Sequence, residues 1–160
     1  MKILFIQTGG TIDKDYPKTT KGYAFEIAEP AVKRILEKIK PNFNYEILPL
    51  MRKDSLDITN IDRQKILQSC IEADTDKIIV THGTDTMIET AKFLSNIKNK
   101  SIILTGAVKP EKFKDSDAEF NLGVAIGALN KLNSGVYIAM NGRIFPADKI
   151  QRDELTGKFF

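Results

Sequence analysis

The sequence predicts an α/β protein: a three-layer, Rossmann-like or flavodoxin-like domain in which helices flank a mostly parallel sheet. Five short apolar runs alternate along the chain with segments of helical periodicity. The runs are rich in Ile, Leu and Val and lack polar alternation, as expected for parallel strands covered on both faces. The alternating order of strands and helices favours right-handed crossovers and a single sheet. A length of 160 residues, without repeat or interior linker, predicts one domain over 1–160.

The individual elements follow from local patterns. The predicted strands cover 2–6, 45–50, 77–81, 101–105 and 135–140. The predicted helices cover 30–40, 59–73, 84–97 and 121–132. The first helix opens on Pro30, whose fixed φ suits a first helical turn, and the second follows an N-cap candidate, Thr59 or Asn60. Polar loops are predicted over 9–29 and 106–118, and a turn at 141–142 precedes a short strand at 143–145.

Composition excludes several classes of function. The chain has 24 basic and 21 acidic side chains, a net charge of +3, with the basic residues scattered along it. This pattern predicts no nucleic-acid partner. No apolar run approaches the roughly 18 residues that span a bilayer, so no membrane partner and a cytoplasmic location are expected. Cys70 and His82 are the only residues of their types, which argues against disulfides and predicts no metal.

Three predicted strands end in similar polar segments. The first ends in TGGT (8–11), the third in THGTDT (81–86) and the fourth in TGA (105–107). Ligands of open α/β sheets bind just outside the carboxyl ends of strands, where glycine lets backbone approach closely and a helix N-terminus offers free N–H groups. Neither G-x-x-x-x-G-K-[ST] nor G-x-G-x-x-G is present, so a phosphate-binding loop is not predicted.

Each segment alone has an ordinary structural explanation. A TGGT segment is a common turn after a strand, and an aspartate near a helix start, such as Asp85, typically caps the helix. Together these segments favour a catalytic site. A threonine hydroxyl becomes a nucleophile beside a base, a carboxylate binds an ammonium group, and backbone N–H groups at glycine turns stabilise an oxyanion. This combination is typical of amide hydrolysis without a metal or cofactor.

These segments resemble the bacterial-type L-asparaginase/glutaminase family. The similarity rests on TGGTI (8–12), THGTDTM (81–87) and LTGAVKP (104–110), and extends to KDSLD (53–57), DAEFNLGVA (117–125) and GVYIAMNGRIFPADKI (135–150). It therefore covers nearly the whole chain. The resemblance implies an amino-terminal-type asparaginase domain over 1–160. The second, carboxyl-terminal domain of longer members is not expected in this chain.

The resemblance implies roles for individual residues. Thr11 matches the first catalytic threonine of the family, the proposed nucleophile. Thr84 and Asp85 match the second threonine and the adjacent aspartate that binds the substrate's amino group. Ser55 matches a residue that holds the α-carboxylate. The substrate-binding set is completed by residues that share the same segments, Gly10, Asp54, Gly83 and Ala107.

The resemblance also implies a tyrosine on a mobile loop that activates the first threonine. Tyr16, in TIDKDYP, is the preferred candidate because short members resemble this sequence there. Tyr23, in KGYAF, lies nearer the spacing of long members and is its rival. A structural explanation, in which either ring packs the loop down, stands beside both assignments.

One position departs from the family pattern. The family has a lysine two residues after an aliphatic residue, where it forms a unit with the second threonine and the aspartate. Here the position is Arg152, in KIQRD, and Lys149 lies three residues earlier. Arginine keeps its proton at neutral pH, so it orients charge and does not act as a base. The alternatives are an altered catalytic unit, replacement by Lys149, or a surface role for Arg152.

Long members also receive a substrate-binding carboxylate from the second domain of a neighbouring subunit. Asp54, Asp57 or an acid of a partner chain are the candidates to replace it here. Asp117 and Asn121 match a segment beside the site and are interpreted as structural.

The sequence thus predicts an amidohydrolase that converts L-asparagine to L-aspartate and ammonia, with glutamine as a side substrate. A catalytically weak or inactive amino-acid or amide sensor on the same domain is the alternative. The resemblance further implies a homodimer or homotetramer.

Overall fold

The computed structural model of the protein describes residues 1–20 and 22–160. Its strands are β1 (Lys2–Gly9), β2 (Lys14–Asp15), β3 (Lys18–Thr19), β4 (Gly22–Tyr23), β5 (Glu26–Ile27), β6 (Asn44–Lys53), β7 (Lys77–Thr81), β8 (Ser101–Thr105), β9 (Gly135–Met140) and β10 (Arg143–Pro146). Its α-helices are α1 (Ala31–Ile39), α2 (Asn60–Glu72), α3 (Met87–Leu94) and α4 (Ala118–Leu129). Single 3-10 turns at Thr11–Asp13 and Ser55–Asp57 follow β1 and β6.

Six strands form the central sheet in the order β10-β9-β8-β7-β1-β6. All neighbours are parallel except β9 and β10, which pair antiparallel across the turn at 141–142. From β1 the chain crosses to β6, the neighbour of β1 on one side. From β6 it returns past β1 to β7, the neighbour of β1 on the other side. Because the crossovers diverge there, the carboxyl ends of β1 and β7 flank the crevice where α/β sheets bind ligands.

Helices cover both faces of the sheet, which confirms the three-layer α/β prediction. Alternate residues of β1 point to opposite faces, so Leu4 and Ile6 enter one core, whereas Ile3 and Phe5 enter the other. The first core contains Ile66 of α2 and Leu94 of α3. The second contains residues of α1 and α4, namely Val32, Ile35, Leu36, Leu122, Ala125 and Leu129.

Strand β6 differs from the expectation that every strand is covered on both faces. It lies at the edge of the sheet, and its residues are exposed or only partly buried. Its apolar residues follow one another without polar alternation, as in a central strand, and only the pairing order places them at an edge. Pro49, which has no backbone N–H, fits this edge position.

The third helix is shorter than the predicted 84–97. Residues 84–86 form a bend, and the first helical bond runs from Thr90 N–H to the Thr86 carbonyl. The Thr86 hydroxyl donates to the Ser55 carbonyl at 2.7 Å, and Asp85 forms an ion pair described below, so both residues are held outside the helix. The helix ends at Leu94, after which the N–H groups of Ser95 and Ile97 donate to carbonyl groups three residues earlier.

The other helices lie close to their predicted positions. Helix α2 begins with a capping box in which Thr59, not Asn60, is the N-cap and Asp62 bonds back to its N–H. Helix α4 begins three residues earlier than predicted, directly after Asp117. Part of the predicted loop 9–29 pairs locally, β2 with β5 and β3 with β4. Within the described residues, no helix is long and apolar enough to cross a membrane.

Candidate active site

The first strand end is a glycine turn pressed against β6 and β7. Gly9 and Gly10 have φ of 109° and 81°, values that favour glycine. Gly10 N–H donates to the Lys53 carbonyl at 2.9 Å. A Cβ atom on Gly10 would lie 2.3 Å from the Gly83 nitrogen. The backbones of Gly10 and Gly83 are therefore in direct contact, and the two predicted motifs meet there.

We expect Gly10→Ala to lower the free energy of unfolding by roughly 2–3 kcal/mol, because the new methyl group meets backbone and the φ is unfavourable. Gly127→Ala is the matched control. A Cβ atom there meets nothing within 4 Å, and the residue lies inside α4. That control should gain about 0.5–1 kcal/mol from helix propensity. Urea denaturation of the two variants measures the difference, and equal stability would contradict the close approach.

The two threonines of TGGT lie in different environments. Thr8 is fully buried, and its hydroxyl donates to the Thr81 carbonyl at 2.8 Å, so it links β1 to β7. Thr11 begins the 3-10 turn and is partly buried. Within the described residues its hydroxyl has no hydrogen-bond partner in the protein. Its oxygen is thus available to a substrate or to an activating base.

The third strand end contributes backbone and packing. Ala107 is 1% exposed and lies in a small apolar cluster with Ile12, Ala31 and Ala118. Its methyl group is therefore turned away from solvent, and only its backbone is placed to contact a ligand. His82 N–H donates to the Thr105 carbonyl at 2.9 Å, which ties the ends of β7 and β8 together.

Ser55 lies between the two glycine turns. It is 1% exposed, and a Cβ atom on Gly83 would lie 2.6 Å from its Oγ. The Thr86 hydroxyl holds its carbonyl. The structure thus brings together Gly10, Gly83 and Ser55, as the sequence predicts.

Asp54 caps the 3-10 turn that carries Ser55. Its Oδ1 accepts the Leu56 N–H at 3.2 Å, and its Oδ2 pairs with Lys14 Nζ at 3.1 Å. Partial burial alone would raise the pKa of Asp54, but the Leu56 N–H and the Lys14 ammonium hold it below its usual value. Asp54 also lines a cleft of about 490 Å³ together with Lys14, Phe25, Glu26, Ile27, Arg52, Lys53 and Asp57. Its lining residue Lys53 contacts the Gly9–Gly10 turn, whereas Thr11, Thr84 and Asp85 do not line the cleft.

Arg152 reaches the second motif from the end of the chain. Its Nη1 lies 2.8 Å from Asp85 Oδ1, and its Nη2 donates to the Thr84 hydroxyl at 3.4 Å. Its Nε donates to the Gly157 carbonyl at 3.4 Å. Lys149 is exposed and lies in the turn before Ile150. The basic group beside Thr84 and Asp85 is therefore Arg152 and not Lys149.

The two candidate tyrosines pack against each other. Tyr16 and Tyr23 are stacked with ring centroids 5.6 Å apart, and Tyr16 also lies 4.7 Å from the ring of Phe25. Phe113 extends this cluster at 6.4 Å from Phe25. Within residues 1–20 and 22–160, neither tyrosine hydroxyl is hydrogen-bonded to Thr11. Both rings hold the loop together in this conformation, so the choice between them stays a prediction.

Asp117 and Asn121 brace the loop after β8. The Asp117 carboxylate accepts the N–H groups of Val108 and Lys109, and Asn121 Nδ2 donates to the Gly106 carbonyl at 3.0 Å. These contacts agree with the structural interpretation of both residues.

Sequence reasoning missed two groups that border the site. Lys14 pairs with Asp54 across the loop, and the buried carboxyl of Asp13 caps α1 by accepting the Ala31 N–H at 2.8 Å. Nothing in the sequence marked Asp13 as buried, since carboxyl groups are mostly exposed. The described residues contain no group of three or more metal-ligating side chains arranged around a common centre.

Comparison with known proteins agrees with this architecture. The family model for the amino-terminal asparaginase domain matches residues 2–156. The glutaminase-asparaginase of Acinetobacter glutaminasificans is 29% identical, over 94% of this chain and 49% of its own length. The L-asparaginase of Thermococcus kodakarensis is 31% identical, over 98% of this chain and 49% of its own length.

The solved structure of the thermostable L-asparaginase from Thermococcus kodakarensis is similar to this fold, with a TM-score of 0.85 at 29% identity. That similarity covers 100% of this chain and 51% of that chain. The chain therefore spans about half the length of the relatives that it matches. With the family model covering nearly every residue and the three strand ends meeting as the motifs require, this chain belongs to the asparaginase family and corresponds to its amino-terminal domain.

Proposed function

We propose that the protein is an amidohydrolase that releases ammonia from L-asparagine, with glutamine as a poorer substrate. One observation carries the proposal: the backbones of Gly10 and Gly83 meet beside Ser55, at the end of the sheet where the crossovers diverge. This contact places the motif of Thr11 next to the motif of Thr84 and Asp85. The names of the relatives, asparaginases and glutaminase-asparaginases, agree with an amide substrate.

In this proposal Thr11 supplies the attacking oxygen, directly or by positioning a water molecule. Tyr16 or Tyr23 takes part in proton transfer once the loop over 12–28 closes and excludes water. Ser55 binds the α-carboxylate, and Asp85 binds the α-ammonium group. The backbone N–H of Gly83 is the candidate to stabilise the oxyanion, since the Gly10 N–H already donates to the Lys53 carbonyl.

Steady-state release of ammonia tests the proposal. We expect turnover of L-asparagine and slower turnover of L-glutamine, measured together with D-asparagine and small peptide amides. A protein that hydrolyses none of these at high enzyme concentration would contradict the assignment. Preference for another amide of the panel would correct the substrate and keep the reaction class.

The alternative is a sensor that binds an amino acid or amide without turning it over. The ion pair between Arg152 and Asp85 favours this possibility, because a guanidinium already occupies the carboxylate predicted to bind the substrate's ammonium. Calorimetry distinguishes the two functions. Tight binding of aspartate or asparagine without turnover would support the sensor.

We expect Arg152→Lys to raise kcat by about tenfold or more, because a lysine ammonium exchanges a proton far more readily than a guanidinium. Arg143→Lys is the matched control, since Arg143 is exposed on β10 and stacks over Phe145. The control should leave kcat unchanged. Equal kcat in Arg152→Lys and wild type would show that the guanidinium does not limit catalysis.

A homodimer or homotetramer in the cytoplasm remains our prediction. Leu56 is 73% exposed and Ile61 is 72% exposed, and both lie beside the Ser55 turn, where a partner subunit would cover them. Size-exclusion chromatography with light scattering measures the assembly. A monomer at micromolar concentration would contradict the prediction.

A further inference from the structure

His82 is a fully buried imidazole that the proposed chemistry does not use. It lies between β7 and the Gly83 turn, with Nδ1 2.8 Å from the Gly83 carbonyl and Nε2 2.9 Å from the Thr90 hydroxyl. A carbonyl oxygen only accepts hydrogen bonds, so Nδ1 carries the proton. Burial lowers the pKa of His82 to about 4, which keeps the ring neutral near pH 7. Nε2 is then an acceptor, and the Thr90 hydroxyl must donate to it.

Thr90 is in turn held by Arg63 of α2. Arg63 Nε donates to the Thr90 hydroxyl at 3.2 Å, and its Nη2 pairs with Glu89 at 2.8 Å. Because a guanidinium has only donors, every bond of the chain points in one direction, from Arg63 through Thr90 and His82 to the Gly83 carbonyl. The donor and acceptor roles of all four groups are therefore determined.

The carbonyl at the end of this chain belongs to a closely packed residue of the site. The Gly83 backbone contacts Gly10 on one side and Ser55 on the other. Thr84 and Asp85 follow directly. A rotation of the Gly83 peptide would displace Thr84 and Asp85 and open the contact with the turn that carries Thr11.

We propose that Thr90 and His82 are positioning residues: they lock the Gly83 peptide and thereby set Thr84 and Asp85 relative to Thr11. This inference rests on the proposed function, because it assigns those groups to a common reaction. Thr90 and His82 contact no reacting atom in this assignment. They act only through the peptide that they hold.

Kinetics of Thr90→Val tests the inference, since valine has the shape of threonine and lacks the hydroxyl. We expect kcat/KM to fall about tenfold with KM raised, because one buried hydrogen bond is lost on each side of the hydroxyl and Asp85 moves. Thr90→Ser should recover most of the activity. A purely structural defect would instead reduce the amount of folded enzyme and lower the apparent kcat alone.

Ser101→Ala is the matched control. Ser101 is buried at the opposite end of β8, where its hydroxyl donates to the Asn133 carbonyl at 3.2 Å. This control should lose stability and keep both kcat and KM. Kinetic constants of Thr90→Val equal to those of Ser101→Ala would overturn the inference.

NMR provides a test that needs no turnover. His82 is the only histidine of the chain, so its ring signals are assigned without ambiguity. We expect the neutral Nδ1–H form in the wild type from about pH 5 to pH 8. The amide shifts of Gly83, Thr84 and Asp85 should change in Thr90→Val and not in Ser101→Ala. The Nε2–H form, or unchanged shifts in Thr90→Val, would overturn the inference.

The two kinds of failure are distinguishable. A wild-type protein that hydrolyses no amide would contradict the proposed function. The NMR measurements would still decide whether Thr90 and His82 hold the Gly83 turn.

Discussion

Replacing Thr11 by alanine is expected to lower ammonia release from asparagine by on the order of 10³-fold or more, because the attacking or water-positioning oxygen is removed. Thr11 is partly buried at the turn that meets Gly83, and no described group of the protein engages its hydroxyl. The loss should appear mainly in kcat, since the proposed function assigns the carboxylate and ammonium contacts of the substrate to Ser55 and Asp85. Steady-state kinetics at saturating asparagine measures it.

The same motif provides the control. Thr8 is three residues away, and its hydroxyl bonds to the Thr81 carbonyl inside the sheet. Thr8→Val should lower the free energy of unfolding by about 1–2 kcal/mol and leave kcat nearly unchanged. Thr11→Ser, which keeps a hydroxyl, should retain measurable activity. Full activity in Thr11→Ala would end the nucleophile assignment.

A second large effect, on the pH dependence of the free energy of unfolding, is expected at Asp13. Its carboxyl group is fully buried beside the glycine turn. Its Oδ1 accepts the Ala31 N–H, whereas its Oδ2 and the neighbouring Gln7 Oε1 are buried acceptors without a partner. Burial raises the pKa of Asp13 to about 7, although the Ala31 N–H, Gln7 and Arg34 oppose the increase and Glu111 adds to it. Protonation turns the unpartnered Oδ2 into a donor, so a neutral carboxyl group suits this buried position better than a carboxylate.

The direction of the pH dependence follows from linkage. The unfolded chain releases the Asp13 proton near pH 4, and the folded protein keeps it until about pH 7. Between these values unfolding releases a proton, so the contribution of Asp13 to stability falls as the pH rises, by about 1.4 kcal/mol per pH unit. The total loss is on the order of 4 kcal/mol, and above pH 7 it stays constant.

Asp13→Asn is therefore expected to become more stable than the wild type as the pH rises from about 4 to 7. The asparagine Oδ1 keeps the Ala31 bond, and its Nδ2 supplies a donor toward Gln7 at every pH. The difference in the free energy of unfolding between the two proteins isolates Asp13. His82, whose folded pKa is lowered to about 4, changes stability in the opposite direction and is common to both.

Urea denaturation across this pH range measures the difference. Asp15→Asn is the matched control on the same loop: the Tyr16 N–H lowers the pKa of Asp15, and the side chain is only partly buried. That variant should show almost no dependence between pH 4 and 7, because a carboxyl group with a lowered pKa loses its stabilising charge only below about pH 4. A difference between Asp13→Asn and wild type that does not change with pH would contradict a raised pKa at Asp13.

The sequence predicted the sheet well where local pattern decides structure. Strands β7, β8 and β9 have the predicted bounds, because dense runs of Ile, Leu and Val flanked by polar residues leave little choice. The edge position of β6 was not predictable in the same way, since its composition resembles that of a central strand. The start of α3 was also missed, because Thr86 and Asp85 are withdrawn from the helix by Ser55 and Arg152.

The candidate site was likewise predictable in part. Glycine turns, hydroxyls and a carboxylate at strand ends, in TGGT and HGTD, were enough to locate a candidate site, and its threonine-based chemistry stays a prediction. The sequence could not decide whether Tyr16 or Tyr23 is the activating tyrosine. The two rings stack on each other in the structure, so the choice is left to experiment.

The sequence by itself determined the α/β architecture, the asparaginase-type motifs and the departure at Arg152, since each is a property of neighbouring residues. Only the tertiary structure decided that Arg152 and not Lys149 meets Asp85, that the Asp13 carboxyl is buried, and that Arg63, Thr90 and His82 form one chain to the Gly83 peptide. The physical reason is that burial and hydrogen-bond partners depend on segments far apart in the chain. Arg152 and Asp85, for example, are separated by 67 positions.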